Sequence, residues 1–333
     1  MKRKSIAALF LVLVLILGLS LGSFAQTSQE TSGAVSDESA AVSPEEESAS
    51  QTSKEEPIRQ PEPTGIGKIV NGYISLCEKG GLVTKAFGTW TESVAKGTDG
   101  KLYYVTTPTL PPVMYPVTLV ICFVAAYLMG SINFGVIISK KMCNDDVRNH
   151  GSGNAGMTNV MRVHGKKPAI LTLLGDAGKA MLSALFGLLL AGNGAGYLAL
   201  AGCMIGHAFP IFFKFKGGKA VACAAGGMLI LEPLALLILM AFFVIIVLGT
   251  KYVSLGSVIA GLLIPVMVDS IWQFSPVHNM GNPDVPMVMI CSVFYACFLA
   301  WLHRANIKRL YQGEERKTDL IRDLFKKKKQ EKN

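Results

Sequence analysis

Residues 234–250 read LALLILMAFFVIIVLGT, a run without a charged side chain. A helix needs roughly 20 predominantly apolar residues to cross the hydrocarbon core of a bilayer, so this run predicts a membrane span. Half of the 333 residues are hydrophobic and only 17% are charged, which is too apolar for an ordinary soluble domain. The sequence therefore predicts an integral membrane protein.

Similar apolar runs recur through the last two thirds of the chain. The predicted spans are residues 115–139, 169–190, 195–213, 220–232, 234–250, 255–273 and 286–302. The fourth run is short and is broken by Glu232 and Pro233, so it is a full span, part of a bent helix pair or a half-helix. The predicted fold class is an all-α integral membrane protein, a polytopic bundle of about seven transmembrane helices.

The residues before the first span form three segments of different composition. Residues 1–25 have a basic start, an apolar core and small residues near Ala25, which is typical of a signal peptide or an uncleaved anchor. Residues 26–64 are rich in Ser, Glu, Pro and Gln and predict a disordered acidic linker. Residues 65–114 regain apolar content, and the turn residues at 98–100 predict one β-hairpin there. We assign this last segment no function.

Lys and Arg residues fall in alternate loops. They occupy the loops at residues 140–167, 214–219 and 251 and the tail after Arg304, whereas the loops around Gly192, Glu232 and residues 275–286 contain none. Basic loops of membrane proteins face the cytoplasm, so we expect residues 26–114 outside the cell and the basic tail, 316–333, inside. The signal-like segment agrees with this orientation. We therefore predict a multi-pass protein of a bacterial inner membrane.

The first basic loop reads RNHGSGNAGMTNVMRVHG at residues 148–165. Its glycines permit close backbone approach and positive φ angles. The polar donors and fixed charges of this loop are Ser152, Asn154, Thr158, Asn159, Arg148 and Arg162. Such a set suits a phosphate group, although the same composition is found in flexible polar loops.

The second basic loop reads GHAFPIFFKFKGGKAVA at residues 206–222. His207, Lys216 and Lys219 surround a glycine pair at the start of an apolar helix. A helix N-terminus with a glycine turn and lysines can hold an anion, but the spacing is not that of a P-loop. The alternative is that these lysines only anchor the loop on the cytoplasmic side.

Two further sets of polar residues stand out. HRANIKRLYQGEE follows the last span, and on a helix His303 and Asn306 share a face, so they are either site residues or structural. Asp176 and Lys179 lie three positions apart in the second span. Ionisable groups there are costly and are usually paired inside the bundle, unless the span begins later and both are interfacial.

In this order the motifs resemble the PlsY family of acyl-phosphate:glycerol-3-phosphate acyltransferases. The matching stretches are GSINFG at 130–135, RNHGSGNAGMTN at 148–159, GHAFPIFFKFKGGKAVA at 206–222 and HRANIKRL at 303–310. The likeness covers residues 115–315 and implies a seven-helix enzyme with its Gly-rich motif loops in the cytoplasm. It would make lysophosphatidic acid, the first step of phospholipid synthesis, and would be functionally linked to the enzyme that makes acyl-phosphate.

The resemblance also implies roles for individual residues. Ser152 and His303 would hydrogen-bond the reacting groups, Arg162 and Lys219 would clamp phosphates, and Asn306 would orient the acceptor. The general base is either His303 or a substrate phosphate. Substrate-binding residues of the same motifs are Lys216, His207, Asn154, Thr158, Asn159 and Arg148. The chain departs from the family pattern at Asn133, Met157 and Cys223 and in its first 114 residues.

The sequence also bears on other functions. No metal-ligand cluster is found, so no cofactor is expected, and no nucleic acid partner is expected. A transporter of a phosphorylated solute would want its site near the membrane midplane and repeated halves, whereas these motifs lie at span ends. A non-catalytic membrane scaffold is the third alternative. Five cysteines in apolar runs are predicted to pack between helices: Cys122, Cys203, Cys223, Cys291 and Cys297. Cys77 is predicted to be an unpaired thiol outside the membrane.

Overall fold

The computed structural model describes residues 81–96, 102–109, 111, 113–274 and 284–318. The signal-like segment, the acidic linker, Cys77 and most of the basic tail lie outside the described residues, so the predictions made for them stay predictions.

A β-hairpin precedes the apolar helices. Strand β1 (Thr89–Lys96) pairs antiparallel with β2 (Leu102–Thr109), with Thr89 opposite Thr109 and Lys96 opposite Leu102. A short helix, α1 (Gly81–Phe87), comes before it. The hairpin predicted for this segment is therefore confirmed.

The first predicted span is interrupted in its middle. Helix α2 (Met114–Gly130) ends before Ser131, and α3 (Phe134–Cys143) begins after Asn133. Asn133 Oδ1 accepts a hydrogen bond from the Val136 N–H at 3.2 Å and caps α3. A side chain that bonds the backbone locally competes with a continuous helix, so the chain breaks here although its apolar pattern continues.

The next two predicted spans are the arms of one bent helix. After the short helix α4 (Met157–His164), α5 (Lys166–Ala208) leaves helical geometry at Ala191 and at Gly192, where φ is 78°. A Cβ on Gly187 would lie 2.3 Å from the Ala195 carbonyl oxygen, so the two arms run back against each other. The second arm ends at Ala208, before the end predicted at residue 213, and a 3₁₀ turn (Ile211–Phe213) follows.

The remaining helices agree closely with the apolar runs. They are α6 (Val221–Leu231), α7 (Pro233–Thr250), α8 (Val253–Phe274), α9 (Val285–Leu302) and α10 (Arg304–Gln312). The predicted fourth to seventh spans begin and end within two residues of α6 to α9. Glu232 ends α6 and Pro233 begins α7, which confirms the predicted break.

Several stretches are suited to a membrane. Within the described part of the chain, five are long and apolar enough to cross one: Met114–Cys143, Lys166–Phe213, Pro233–Thr250, Val253–Trp272 and Val285–Leu302. Helix α6 is apolar but shorter. Apart from the hairpin, the described structure is helical, as predicted.

Four of the five cysteines predicted to pack between helices are buried: Cys122, Cys203, Cys223 and Cys291. The fifth prediction is wrong, because Cys297 is exposed on α9. An apolar run predicts a span but does not say which of its positions face the other helices.

Candidate functional site

Asn159 organises the first motif loop. Its Nδ2 lies 3.0–3.1 Å from the carbonyl oxygens of Val147, His150 and Asn154, and its Oδ1 accepts a hydrogen bond from the Ser152 N–H at 2.9 Å. The Asn159 residue is only 2% exposed. Its amide is therefore occupied by the loop backbone, and it holds Ser152 at the exposed edge of the loop.

Arg148 joins the first loop to the second. Its guanidinium forms a bidentate pair with Asp146, with Nε–Oδ1 at 2.9 Å and Nη2–Oδ2 at 2.7 Å. This hydrogen bonding lowers the pKa of the Asp146 carboxyl to about 2. Arg148 Nη1 also donates to the carbonyl oxygens of Phe213 and Lys216 at 2.9 and 3.1 Å. The structure thus uses this predicted substrate ligand to connect the two loops.

The glycine pair of the second loop lies directly on His207. The Gly218 N–H donates to the His207 carbonyl oxygen at 3.1 Å. A Cβ on Gly217 would lie 1.9 Å from that oxygen, and a Cβ on Gly218 would lie 2.0 Å from His207 Nε2. Only glycine permits this approach. His207, 2% exposed, is therefore packed beneath the loop rather than open to a ligand.

The residue after the glycine pair meets the third motif. Lys219 Nζ donates to Asn306 Oδ1 at 2.5 Å. Asn306 is buried, and Lys219 is half-buried. Two of the residues that the resemblance implied, from motifs 87 positions apart, are therefore in direct contact.

Glu315 completes this contact, and the sequence interpretation missed it. Asn306 Nδ2 and Ser254 Oγ each donate to Glu315 Oε1 at 2.7 Å, and Arg309 Nε donates to Oε2 at 2.8 Å. Burial raises the pKa of the Glu315 carboxyl, but these hydrogen bonds outweigh burial and lower it. Because Glu315 fixes the Asn306 amide, the oxygen of that amide points to Lys219.

One sequence signal could have found Glu315. Gly313 follows α10 with a φ of 78°, and the Glu314 N–H returns to the Arg309 carbonyl oxygen at 2.8 Å. A glycine after a helix is typical of a reversal of the chain, and this signal indicates that the acidic residues after Gly313 fold back. Ser254 offered no such signal, because it lies at the start of an apolar helix.

His303 lies at the junction of α9 and α10 and is 3% exposed. The sequence predicted that His303 lies within a helix. Instead, it links two helices and has a φ of −96°. Its Nδ1 lies 2.8 Å from the Leu299 carbonyl oxygen, and a carbonyl only accepts, so Nδ1 carries the proton. Burial and the Lys219 charge lower the pKa of His303 to about 4. The imidazole is therefore neutral at pH 7, with Nε2 as a hydrogen-bond acceptor.

Arg162, which is exposed, adds a second cation to the Lys219 neighbourhood. Its Nη1 donates to Asn159 Oδ1 at 3.3 Å, which links it to the first loop. Burial and the Arg316 charge lower the pKa of Arg162, while Glu315 acts in the opposite direction. Arginine stays protonated under all these influences, so the site holds a fixed positive charge.

Lys219 is the cation of this neighbourhood that can lose its charge. Burial lowers the pKa of the Lys219 ammonium to about 8, with Glu315 opposing the decrease and Arg309 and Arg162 adding to it. The result is a cluster with more positive than negative charge, which favours an anionic ligand.

The other predicted site residues lie around this cluster. Ser152 and Lys216 are exposed, and Thr158 is half-buried. Asn154 Oδ1 accepts a hydrogen bond from the Gly156 N–H at 2.9 Å and so shapes its own loop. Among the predicted residues, the structure unites Arg162, Lys219, Asn306 and His303 by contact or charge, and it uses Asn159, Arg148 and His207 within and beneath the loops.

The part of the chain that holds these motifs is similar to known proteins. A family model described as glycerol-3-phosphate acyltransferase matches residues 120–313. A curated relative with that description, from Syntrophotalea carbinolica, is 42% identical over 198 residues, which are 59% of this chain and 95% of the relative. Another, from Clostridioides difficile, is 40% identical over 204 residues, 60% of this chain and 94% of the relative.

Solved structures agree as well. The crystal structure of PlsY, an integral membrane glycerol 3-phosphate acyltransferase, in its glycerol 3-phosphate form matches with a TM-score of 0.54 and 31% identity, over 63% of this chain and 100% of that chain. The same protein in its lysophosphatidic acid form matches with a TM-score of 0.53. With a family model over more than half its length and relatives matched almost end to end, the chain belongs to the glycerol-3-phosphate acyltransferase family.

Proposed function

We propose that this protein transfers a fatty acyl group from acyl-phosphate to glycerol 3-phosphate and releases lysophosphatidic acid and inorganic phosphate. The observation that carries the proposal is the contact of Lys219 with Asn306 beside Arg162, in a chain that belongs to a glycerol-3-phosphate acyltransferase family. Glycerol 3-phosphate as the acceptor is supported by the PlsY structure in its glycerol 3-phosphate form.

The two cations hold the phosphate of glycerol 3-phosphate. Arg162 offers a planar fork of donors and Lys219 a point charge, and both groups bind phosphate oxygens well. Asn306 cannot swing away from Lys219, because Glu315 holds its amide nitrogen at 2.7 Å. The acceptor therefore meets donors whose positions are already set, which lowers the entropy that binding costs.

Acyl transfer then needs positioning more than activation. An acyl-phosphate is already a reactive mixed anhydride, and phosphate is a good leaving group. The acceptor hydroxyl oxygen attacks the acyl carbonyl carbon, the bond from that carbon to the phosphate oxygen breaks, and the hydroxyl proton ends on the departing phosphate. His303, neutral at pH 7, accepts a hydrogen bond from the hydroxyl at Nε2 and orients it.

Ser152 binds the acyl donor, the acyl-phosphate. It lies at the exposed edge of the first loop, and its backbone is fixed by Asn159. Its hydroxyl and the exposed glycine-rich backbone around it offer donors to the acyl-phosphate head. The acyl chain lies against the apolar helices, with its carbonyl at the level of the loops.

The loops face the cytoplasm, and α2 begins outside, in a bacterial inner membrane. The alternation of basic and uncharged loops along the chain supports this orientation. About seven helical segments then cross or enter the membrane, counting both arms of α5 and the short α6. A site at the helix ends, rather than near the midplane, favours a transferase over a transporter.

Substitution of Arg162 tests the proposal. Arg162→Ala should abolish turnover with glycerol 3-phosphate and acyl-phosphate, while the protein still inserts and purifies as a monodisperse species in detergent. Lys308→Ala, which removes an exposed charge from α10, is the matched control and should keep normal transfer. Near-normal turnover by Arg162→Ala would refute the phosphate role.

A further inference from the structure

A second polar cluster lies inside the helix bundle. Asp176, Lys179 and His207 are 1%, 4% and 2% exposed. Asp176 and Lys179 come from the first arm of α5, and His207 from the end of the second arm. Lys179 Nζ lies 2.9 Å from Asp176 Oδ1, and His207 Nδ1 lies 3.4 Å from that same oxygen. This confirms the paired, buried alternative for Asp176 and Lys179.

The ammonium group of Lys179 has more polar neighbours than hydrogens. Besides Asp176, its Nζ lies 2.9 Å from the Gly130 carbonyl oxygen, 2.7 Å from that of Ile132 and 3.0 Å from His207 Nδ1. A lysine ammonium has three donors and no acceptor, so its three hydrogens are divided among these four neighbouring atoms. Every hydrogen of Lys179 is thus used to hold a neighbouring group in place.

The two carbonyls belong to the break between α2 and α3. Backbone carbonyls outside a helical ladder need another partner in an apolar environment, and Lys179 supplies it. Just beyond the break, a Cβ on Gly135 would lie 1.7 Å from the Ala155 carbonyl oxygen. The position of the break therefore sets where α3 meets the first motif loop.

His207 connects the same cluster to the second motif loop. Its ring edge and its carbonyl oxygen leave room only for glycine at positions 217 and 218. The Gly217 carbonyl oxygen in turn accepts from the Ala155 N–H at 3.5 Å. Lys219 follows directly, so its ammonium is placed by a backbone that lies on the imidazole.

We propose that Asp176, Lys179 and His207 form one positioning unit that fixes the first and second motif loops relative to each other. Asp176 balances the buried charge of Lys179. Lys179 donates to the carbonyl oxygens at the helix break, and the glycine pair packs against His207. None of the three touches substrate. This inference rests on the proposed function, because its consequence is the placement of Lys219 for the phosphate of glycerol 3-phosphate.

A charge-neutral double substitution tests this role. A single change would leave one buried charge unpaired and destabilise the fold, whereas Asp176→Asn with Lys179→Met removes both charges and keeps side-chain size. We expect the double variant to purify as a monodisperse species. Its KM for glycerol 3-phosphate should rise about tenfold, the effect of losing hydrogen bonds to a charged group, with a much smaller change in kcat.

The separation of KM from kcat distinguishes positioning from damage. A partly unfolded preparation has a lower apparent kcat and an unchanged KM. Asp284→Asn is the matched control, because Asp284 is a carboxylate at the other end of the bundle, 2.9 Å from the Tyr115 hydroxyl. This control should leave the KM for glycerol 3-phosphate unchanged.

The outcomes separate the two proposals. A monodisperse double variant with the wild-type KM would overturn the positioning role, whereas a folded wild-type protein that transfers nothing would overturn the proposed function instead. If the double variant does not fold, Gly218→Ala is measured, because it pushes loop and imidazole apart and leaves the three side chains intact. A raised KM there supports the inference, and an unchanged KM overturns it.

Discussion

The pKa of Lys219 makes phosphate binding depend on pH. In the free protein this pKa lies at about 8, so the ammonium is charged below pH 8 and becomes neutral as the pH rises through that value. We expect kcat/KM for glycerol 3-phosphate, which reports the free enzyme, to fall above about pH 8. Lys219→Arg should remove this decrease, because arginine stays charged. A wild-type profile that stays flat to pH 10 would contradict the assignment.

Glu315 affects the pKa of the Lys219 ammonium. Its charge raises the pKa of Lys219, so removing the charge should lower that pKa further. We expect Glu315→Gln to move the alkaline decrease in kcat/KM below pH 8. Glu314→Gln, which changes an exposed neighbour, should leave the profile where it is. If both variants titrate like the wild type, Glu315 does not act on Lys219 through its charge.

At the residue scale, the sequence predicted the chemistry of the site better than its contacts. Residue types in glycine-rich basic loops indicated an anion site, and Lys219 and Asn306 do meet. His207 belongs to the same motif, yet its place beneath the loop depends on how two distant glycines approach it. Glu315 was missed because its role depends on the chain reversal after Gly313. Contacts of this kind arise from packing, which residue type alone does not encode.

At the scale of elements, helix α3 and the first loop are held at a fixed distance. The carbonyl oxygen of Ala155 lies 1.7 Å from where a Cβ on Gly135 would be, so Gly135→Ala forces the loop away. Overpacking of this kind costs about 1–3 kcal/mol. We expect a lower midpoint of thermal unfolding in detergent and weaker acyl transfer.

Gly178→Ala is the control for that change. Nothing lies within 4 Å of a Cβ at Gly178, and alanine is the better helix former. Its unfolding midpoint should equal or exceed that of the wild type. If Gly135→Ala also leaves the midpoint unchanged, the close packing of α3 on the loop is not important for stability.

Apolar runs predicted helix positions well because a membrane helix must be apolar along its whole length. The ends of α6 to α9 lie within two residues of the predicted ones. The break at Ser131 to Asn133 was not predicted, because a capping asparagine inside an apolar run has no distinct pattern. The bend at Gly192 coincides with the predicted gap between spans, but only the structure shows that the two arms touch.

At the scale of the whole molecule, the residues before α2 lie outside the part that the family model matches, although α1 contacts α5. The relatives from Syntrophotalea carbinolica and Clostridioides difficile match over at least 94% of their own length. These matches cover at most 60% of this chain. All proposed site residues lie between positions 148 and 316. We expect a chain shortened to residues 111–333 to insert and to transfer acyl groups at a rate close to that of the full chain. A folded but inactive shortened protein would show that the extension takes part in catalysis.

The identity of the acyl donor is the most direct test of the account. The purified, detergent-solubilised protein is given labelled glycerol 3-phosphate with palmitoyl-phosphate, and in parallel reactions with acyl-CoA or acyl carrier protein donors. We expect labelled lysophosphatidic acid from palmitoyl-phosphate alone. Product from a thioester donor only, or no product from any donor in a folded protein, would contradict it.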